Sequence, residues 1–201
     1  MYFRLLKTIT IMNEKLKEEI QKTREVLSKG GIILYPTDTI WGLGCDATNA
    51  EAVKRIYEIK KRADNKSMLV LLDDAGKIAS YADVPDIALD LIEVADKPLT
   101  IIYPGAKKLA SNLIAEDGTI GIRITGEEFT KSLISRFNTP LVSTSANISG
   151  KPSPRFFNEI SEEICNAVDY IVDYRRNDHK PASPSSIIKL GMGGEIQIIR
   201  K

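Results

Sequence analysis

Residues 35–47, YPTDTIWGLGCDA, place hydroxyl side chains close to glycines, whose backbone is not covered by a side chain. Thr37 and Thr39 stand close to Gly42 and Gly44, and both hydroxyls and free backbone amides can bind the oxygens of a ligand. The alternative is a purely structural glycine-rich turn with Trp41 packed beneath it. The two interpretations are compatible, because such a turn can also border a ligand.

The same glycines, in residues 42–47, fit the GxGxxA pattern of dinucleotide-binding proteins. That pattern requires the glycines directly after a strand and at the start of a helix. Here residues 36–41 intervene, and the next helix is expected to begin only at Thr48. A nicotinamide site is therefore disfavoured.

Residues 59–67, IKKRADNKS, gather positive charges where a predicted helix gives way to the next strand. The cations are Lys60, Lys61, Arg62 and Lys66. Several positive charges in one place can neutralise a polyphosphate during nucleotidyl transfer. Cations near a helix C-terminus also complement the helix dipole while staying solvated. On composition alone this second interpretation is favoured.

Residues 140–154, PLVSTSANISGKPSP, are dense in hydroxyl and amide side chains directly after an apolar run. The polar members are Ser143, Ser145, Asn147, Ser149 and Ser153. Loops at strand ends are the usual ligand sites of open α/β sheets, and these groups suit phosphate and ribose oxygens. A plain Ser/Gly/Pro turn explains the segment equally well when it is taken alone.

The composition excludes several classes of protein. The 201 residues carry a formal net charge of +1, with two cysteines and one histidine, which excludes a polybasic chain and a Cys/His zinc site. Neither a GxxxxGK(S/T) phosphate loop nor a GxSxG elbow occurs. His179 is expected to be a solvated loop residue, and Cys45 and Cys165 packing residues in a reducing compartment. The chain has no apolar run long enough for a membrane span.

Helix signals recur along the chain. The first helix is predicted to be capped by Asn13 and closed by Gly30, with residues 1–12 as an N-terminal arm or short strand. The second begins with a capping box formed by Thr48 and Glu51. A third covers residues 86–95, with its inward side chains predicted to be Ile87, Leu91 and Val94. Further helical patterns cover residues 108–114, 127–137 and 156–167.

Apolar runs between these helices predict the strands. They cover residues 32–35, 68–72, 99–103, 119–124, 141–144, 170–173, 186–190 and 195–200. The last two are joined by GMGG, which suits a hairpin. Alternation of helices and strands predicts an α/β protein with one twisted, mostly central sheet, and the hairpin makes that sheet mixed.

Five motifs stand in the order and spacing found in the YrdC-like family. They are YPTDTIWGLGCDA, IKKRADNKS, TIGIRI, STSANISGKPSP and PSSIIK. From about Gly31 to Arg200 the sequence resembles the short-form members of that family, the L-threonylcarbamoyladenylate synthases. The resemblance implies a single YrdC-like domain over residues 1–201, with a twisted open mixed sheet flanked by helices and a concave ligand-binding surface.

The resemblance also implies a reaction. The enzyme would make L-threonylcarbamoyl-adenylate from L-threonine, bicarbonate and ATP and release pyrophosphate, which is the first step of threonylcarbamoyl modification of the adenosine 3′ of the tRNA anticodon. A threonylcarbamoyl-transferase complex would then accept the adenylate. Mg2+ is expected as cofactor, held mainly by the ATP phosphates without a metal site on the protein. A cytoplasmic monomer with an additional contact to tRNA or double-stranded RNA is expected.

Site residues follow from the resemblance by motif position. Those expected to hold threonine are Thr39, Arg123, Ser143 and Ser185. Those expected to bind ATP are Arg62, Lys66, Thr119, Ser145, Asn147, Ser153 and Arg200, with Lys60 and Arg62 as the catalytic cations. Arg123 suits the threonine carboxylate, because a guanidinium grips a carboxylate with two parallel hydrogen bonds.

The sequence departs from the family pattern near these residues. Ala63 stands where a proline usually follows the cationic pair, and Leu71 stands where longer members carry a histidine near the threonine. Two other functions fit the same fold: a double-stranded RNA-binding module, and a carbamoyl-transfer domain like that of hydrogenase-maturation proteins. The near-neutral charge and 6% aromatic content disfavour RNA binding as the main task.

Overall fold

The computed structural model describes residues 2–61, 68–178 and 183–201, with the side chains of the first helix described from Glu14 onward. In this part of the chain the strands form one nine-stranded sheet in the order β7-β1-β2-β6-β3-β5-β4-β8-β9. The strands are β1 Ile33–Tyr35, β2 Gly42–Gly44, β3 Leu69–Leu72, β4 Leu99–Tyr103, β5 Ile120–Ile124, β6 Leu141–Ser145, β7 Tyr170–Ile171, β8 Ser186–Leu190 and β9 Ile196–Arg200.

Helices flank this sheet on both faces. They are α1 Tyr2–Ser28, α2 Ala50–Lys60, α3 Ile87–Glu93, α4 Glu128–Phe137 and α5 Glu162–Ala167, with 3-10 turns at Ala75–Ser80, Ser111–Leu113 and Phe157–Glu159. The pairs β1–β7, β3–β5 and β4–β8 are parallel, and the other neighbours are antiparallel. The predicted α/β class and mixed sheet are therefore confirmed.

Alternate residues of each strand face opposite layers, as the two-residue period of a strand requires. One face packs Val70, Ile122 and Val142 with side chains of α2 and α3 in the larger core cluster. The other face packs Tyr35 and Leu71 with side chains of α1 and α4 in a smaller one. The sheet is thus the middle layer of the fold.

Among the described residues, the layer formed by α1 and α4 covers only part of its face of the sheet. Leu71, under α1 and α4, pairs with Arg123 of β5, which pairs in turn with Thr100 of β4. Paired residues of neighbouring strands point to the same side of a sheet. Arg123 therefore lies on the same face of the sheet as Leu71, where it lines an open cavity. This partly uncovered face holds the candidate site.

Helix α1 begins earlier than the sequence predicted. It starts at Tyr2 and runs through Asn13, so the cap at Asn13 and the short strand over residues 1–12 were wrong, whereas the N-terminal arm stays a prediction. The physical reason is that no proline or glycine interrupts the chain before Gly30, whose φ of +76° ends the helix as predicted. Ile20 and Leu27 bury its inner face.

The cap of α2 also differs. Asn49 is the N-cap, and its side chain accepts a hydrogen bond from the Ala52 N–H at 3.0 Å. Thr48, the predicted cap, instead donates its hydroxyl to Asp46 Oδ1 at 2.7 Å. Both residue types cap helices well, so the sequence alone did not separate adjacent candidates.

Three other helix predictions need correction. In α3 Ala88 is buried and Leu91 packs partly against the core as predicted, whereas Ile87 is the first residue of the helix and Val94 follows its last, and both are exposed. Residues 108–114 contain only the 3-10 turn Ser111–Leu113, because the φ of 55° at Lys108 and the ψ values of 133° at Ala110 and 134° at Ile114 lie outside the helical region. Residues 156–167 divide into a 3-10 turn and α5.

Within the described residues, no helix combines the length and apolar character needed to cross a bilayer.

Candidate active site

A cavity of about 230 Å³ lies where β2, β5, β6, β8 and β9 meet on the partly uncovered face. All four residues predicted to hold threonine line it, together with three of those predicted to bind ATP. These seven are Thr39, Arg123, Ser143, Ser185, Ser145, Ser153 and Arg200. The structure thus brings together side chains from five segments of the chain. Their assignment to threonine or ATP stays a prediction.

Arg123 is the buried cation of this cavity. It is 3% exposed, and its Nη2 lies 3.0 Å from Asp38 Oδ1. The second carboxylate oxygen of Asp38 accepts the Gly126 N–H at 3.2 Å, which ties the ion pair to the loop after β5. Within the described part of the chain Arg123 Nε has no hydrogen-bond partner. The guanidinium is therefore held on one side and keeps donor capacity for an anionic ligand.

Arg200 brings a second guanidinium to the cavity from β9. Its Nε donates to the Ser185 carbonyl at 2.9 Å, and Ser185 Oγ lies 2.8 Å from Thr100 Oγ1. Burial, and after it the positive charge of Arg123, lowers the pKa of Arg200. Two arginines whose charges repel in a partly buried cavity favour an anion between them.

The loop after β6 is held by Lys60 at the end of α2. Lys60 is 2% exposed, and its Nζ donates to the Ser145 carbonyl at 2.5 Å and to the Asn147 carbonyl at 2.7 Å. The Asn147 amide donates to the Lys151 carbonyl at 2.6 Å. Neither Lys60 nor Asn147 is among the residues lining the cavity. Both act here on the loop that carries Ser145, and their predicted direct roles toward ATP stay predictions.

Thr119 lies in an adjoining cavity of about 630 Å³ that shares Met68, Leu69 and Ile187 with the first. Its hydroxyl donates to Asp117 Oδ1 at 2.7 Å, and Lys189 Nζ lies 2.5 Å from the other oxygen. The hydrogen bond from Lys189, followed by that from Thr119, lowers the pKa of Asp117 to about 2. Thr119 thus lies in the cavity next to the one lined by Ser145, Ser153 and Arg200.

Two predicted residues, Arg62 and Lys66, lie outside the described residues, as do Ala63 and His179. Leu71, by contrast, is fully buried under α1 and α4 and does not line the cavity. Its difference from longer family members therefore leaves the described lining of the cavity unchanged.

Sequence reasoning missed Asp38 and Thr100 as supports of the site. Asp38 stands between two threonines that were singled out, and its carboxylate could have been paired with a buried arginine. Thr100 carried a fainter signal: it is a polar residue in the apolar run LTIIY. Its contact with Ser185 joins residues far apart in sequence and is visible only in the fold.

A family model described as telomere recombination, that of the Sua5, YciO and YrdC proteins, matches residues 25–201. The chain belongs to the Sua5/YciO/YrdC family. The resemblance expected from the five motifs is therefore confirmed.

Relatives in this family match most of the chain. A putative threonylcarbamoyl-AMP synthase of Methanocaldococcus jannaschii is 36% identical over 188 residues, which cover 93% of this chain and 87% of that protein. The threonylcarbamoyl-AMP synthase of Pseudoalteromonas translucida is 33% identical, covering 85% of this chain and 91% of that protein.

Solved structures of the family share the fold. P. abyssi Sua5 complexed with L-threonine superimposes with a TM-score of 0.76 at 26% identity, covering 85% of this chain. The present chain spans 50% of that Sua5 chain. E. coli YciO superimposes with a TM-score of 0.78 at 25% identity, covering 90% of this chain and 88% of YciO. The predicted YrdC-like fold is confirmed.

Proposed function

We propose that this protein is an L-threonylcarbamoyladenylate synthase. The observation that carries the proposal is the assembly of Thr39, Arg123, Ser143 and Ser185 in one cavity. Two relatives that match most of the chain bear the name threonylcarbamoyl-AMP synthase, and a Sua5 structure with the same fold holds L-threonine. These findings support threonine as the amino-acid substrate.

Arg123 provides the anchor for the threonine carboxylate. Its guanidinium is buried, fixed by Asp38, and has a free Nε donor among the described residues. A carboxylate accepts two parallel hydrogen bonds from a guanidinium, so one contact fixes both the position and the orientation of the amino acid. Ser143 and Ser185 add hydroxyls on either side of the cavity.

The reaction needs positioning and electrostatic stabilisation more than a general base. Condensation of the threonine nitrogen with bicarbonate, with loss of water, gives a carbamate that is already an anionic nucleophile. Its oxygen bonds to the α-phosphorus of ATP while the bond to the bridging oxygen breaks, and the electron pair leaves with pyrophosphate. Arg200 supplies positive charge beside the cavity where these anions meet.

ATP is proposed to extend from this cavity into the adjoining one. Ser145, Ser153 and Arg200 line the first cavity and Thr119 the second, whose volume of about 630 Å³ offers room for a nucleoside. The resemblance adds Arg62 and Lys66 as partners of the phosphates. The charge on a triphosphate requires several cations at once, which these residues would provide.

Mg2+ is proposed to arrive on the nucleotide. The lining of the first cavity has hydroxyls and two arginines but no carboxylate, and no cluster of three His, Cys, Asp or Glu occurs among the described residues. Such a lining fits an ion whose ligands are phosphate oxygens and water. When bound, the ion would offset phosphate charge.

The direct test is pyrophosphate release by the purified full chain. We expect release from ATP and Mg2+ only when L-threonine and bicarbonate are both present. Omission of each component in turn is the control. Absence of release from folded protein under all combinations would contradict the proposal.

Further partners follow from the product. The adenylate would pass to a threonylcarbamoyl-transferase complex, in the cytoplasm, where tRNA is the final acceptor. An additional contact to RNA predicts binding that weakens steeply with salt, because released counterions drive it.

The carbamoyl-transfer alternative has only the fold in its favour. A structure of HypF in its phosphate- and nucleotide-bound form superimposes on this chain, but at 24% identity.

A further inference from the structure

The hydroxyls of Thr37 and Thr39 form a hydrogen-bond chain whose direction is fixed by a carbonyl group. Thr37 Oγ1 donates to the Ile40 carbonyl at 2.8 Å, which uses the single proton of this hydroxyl. The Thr39 backbone N–H donates to the same Thr37 oxygen at 3.0 Å. In the 2.9 Å contact between the two hydroxyl oxygens, Thr39 must therefore be the donor.

This direction determines what Thr39 offers a ligand. A hydroxyl has one proton and two lone pairs, and the proton of Thr39 is engaged with Thr37. Among the described residues no N–H or O–H donates to Thr39 Oγ1, although the residue is only 9% exposed and lines the cavity. Thr39 consequently presents an acceptor to whatever occupies the cavity.

The substrate offers Thr39 two kinds of donor, its side-chain hydroxyl and its nitrogen, which keeps one N–H after it becomes a carbamate. Thr39 borders a neighbouring cavity of about 520 Å³, whereas Thr119 lies in the cavity proposed for the nucleoside. On the proposed function, Arg123 holds the carboxylate, and the nitrogen must bring its carbamate to ATP. An acceptor beside the other cavity is therefore better placed for the side-chain hydroxyl than for this nitrogen.

We propose that Thr37 is a specificity-determining positioning residue, because by accepting the Thr39 proton it makes Thr39 Oγ1 the acceptor for the side-chain hydroxyl of threonine. This inference rests on the proposed function and deepens it by naming the atom that recognises the hydroxyl. A site built to bond a substrate hydroxyl rejects the analogue that lacks it, since its own polar atom is left unpaired.

The test compares L-threonine with L-2-aminobutyrate, which has hydrogen in place of the hydroxyl. Calorimetry on the full chain measures both dissociation constants, and we expect about tenfold tighter binding of threonine. Thr37→Val keeps a side chain of similar shape but removes the hydroxyl, and the preference should fall to about twofold. Thr37→Ser keeps the hydroxyl and loses only the methyl group near Gly42, so the preference should remain about tenfold.

Thr39→Val provides a second route to the same answer. It removes the acceptor itself, so the preference should again fall to about twofold, with no further loss in the double variant. If Thr37→Val does not fold, Thr39→Val decides. An undiminished preference in a folded variant, or equal weakening of both ligands, overturns the inference. A wild-type protein that binds neither amino acid overturns the proposed function as well.

Discussion

The buried guanidinium of Arg123 is paired with Asp38, whose carboxylate lies 3.0 Å away. An unpaired buried cation would cost several kcal/mol in lost hydration. The ion pair offsets part of this cost and also fixes the side chain, so the donors that remain point in a defined direction. At the scale of single residues, the site thus depends on the carboxylate of Asp38, which holds the guanidinium of Arg123 in position for the ligand.

Arg123→Lys tests whether geometry or charge alone holds the substrate. Lysine keeps the charge near Asp38 but loses the fork that grips a carboxylate, so threonine affinity should fall roughly tenfold while the fold persists. Calorimetric titration with threonine measures the change. Arg136→Lys, at an exposed position of α4, is the matched control and should bind as wild type. Unchanged affinity of Arg123→Lys for threonine would show that the two parallel hydrogen bonds of the guanidinium are not needed to hold the carboxylate.

Asp117 gives a prediction for pH. Its pKa lies at about 2 in the folded protein, below the ordinary value of 3.8, mainly through the hydrogen bond from Lys189. Stability from this interaction is present above about pH 4 and is lost as pH falls toward 2. Melting temperatures of wild type and Asp117→Asn should therefore differ above pH 4 and converge below it. Asp90→Asn, at an exposed position of α3, should show no such convergence.

The residues of the site were more predictable than their partners. Hydroxyls, arginines and lysines form recognisable motifs, and the cavity lining contains seven of the predicted residues, five with hydroxyls and two arginines. The interaction of Asp38 with Arg123, and that of Thr100 with Ser185, join segments distant in sequence. Such contacts depend on strand order and register, which local patterns do not contain.

At the scale of elements, β2 was missed because two of its three residues are glycines, which disfavour strands. The structure explains them by crowding. A Cβ on Gly44 would lie 2.6 Å from Tyr35 Cε1 and 2.8 Å from the Val142 carbonyl. Only glycine lets β2 lie between β1 and β6. The glycines lower the strand propensity of this segment, but the close approach of the two neighbouring strands requires them.

Gly44→Ala should therefore destabilise the protein by about 2–3 kcal/mol, because the new methyl group overpacks against the backbone and a buried ring. Chemical denaturation measures the loss in unfolding free energy. Gly126→Ala is the control: a Cβ there meets nothing within 4 Å, so stability should change by less than about 0.5 kcal/mol. Equal effects of the two substitutions would contradict the crowding.

Helix α2 contributes through its last residue. Lys60→Met leaves the carbonyls of Ser145 and Asn147 without the buried donor they share, and should cost about 3 kcal/mol of unfolding free energy. Lys54→Met, exposed on the same helix, should cost less than about 0.5 kcal/mol. Denaturation curves distinguish this supporting role from a purely catalytic one, which would leave stability unchanged.

Most strands and α4 were predictable because their apolar periodicity is uninterrupted. The errors fell at ends and in short elements. Thr48 and Asn49 are adjacent capping residues, and hydrogen bonding to Asp46 decides between them. In α3 the fully buried side chain is the small Ala88, while Ile87 and Leu89 are exposed, so apolar character alone did not identify the inward face.

At the scale of the whole molecule, the mixed sheet collects residues from both ends of the chain into one cavity. Thr39 precedes β2, Arg123 lies on β5, and Arg200 ends β9. The covering layer of α1 and α4 leaves this part of the sheet open to ligands. Sua5 and YciO share this fold at 25–27% identity.

One wall of the cavity belongs to the edge of the sheet. Every residue of β9 is exposed, and among the described strands it pairs only with β8. Edge strands with few buried contacts open most readily in local fluctuations, and amide hydrogens there exchange early with solvent. A ligand that engages Arg200 must therefore slow exchange along β9, so the fraying of this edge and the occupancy of the cavity are linked thermodynamically.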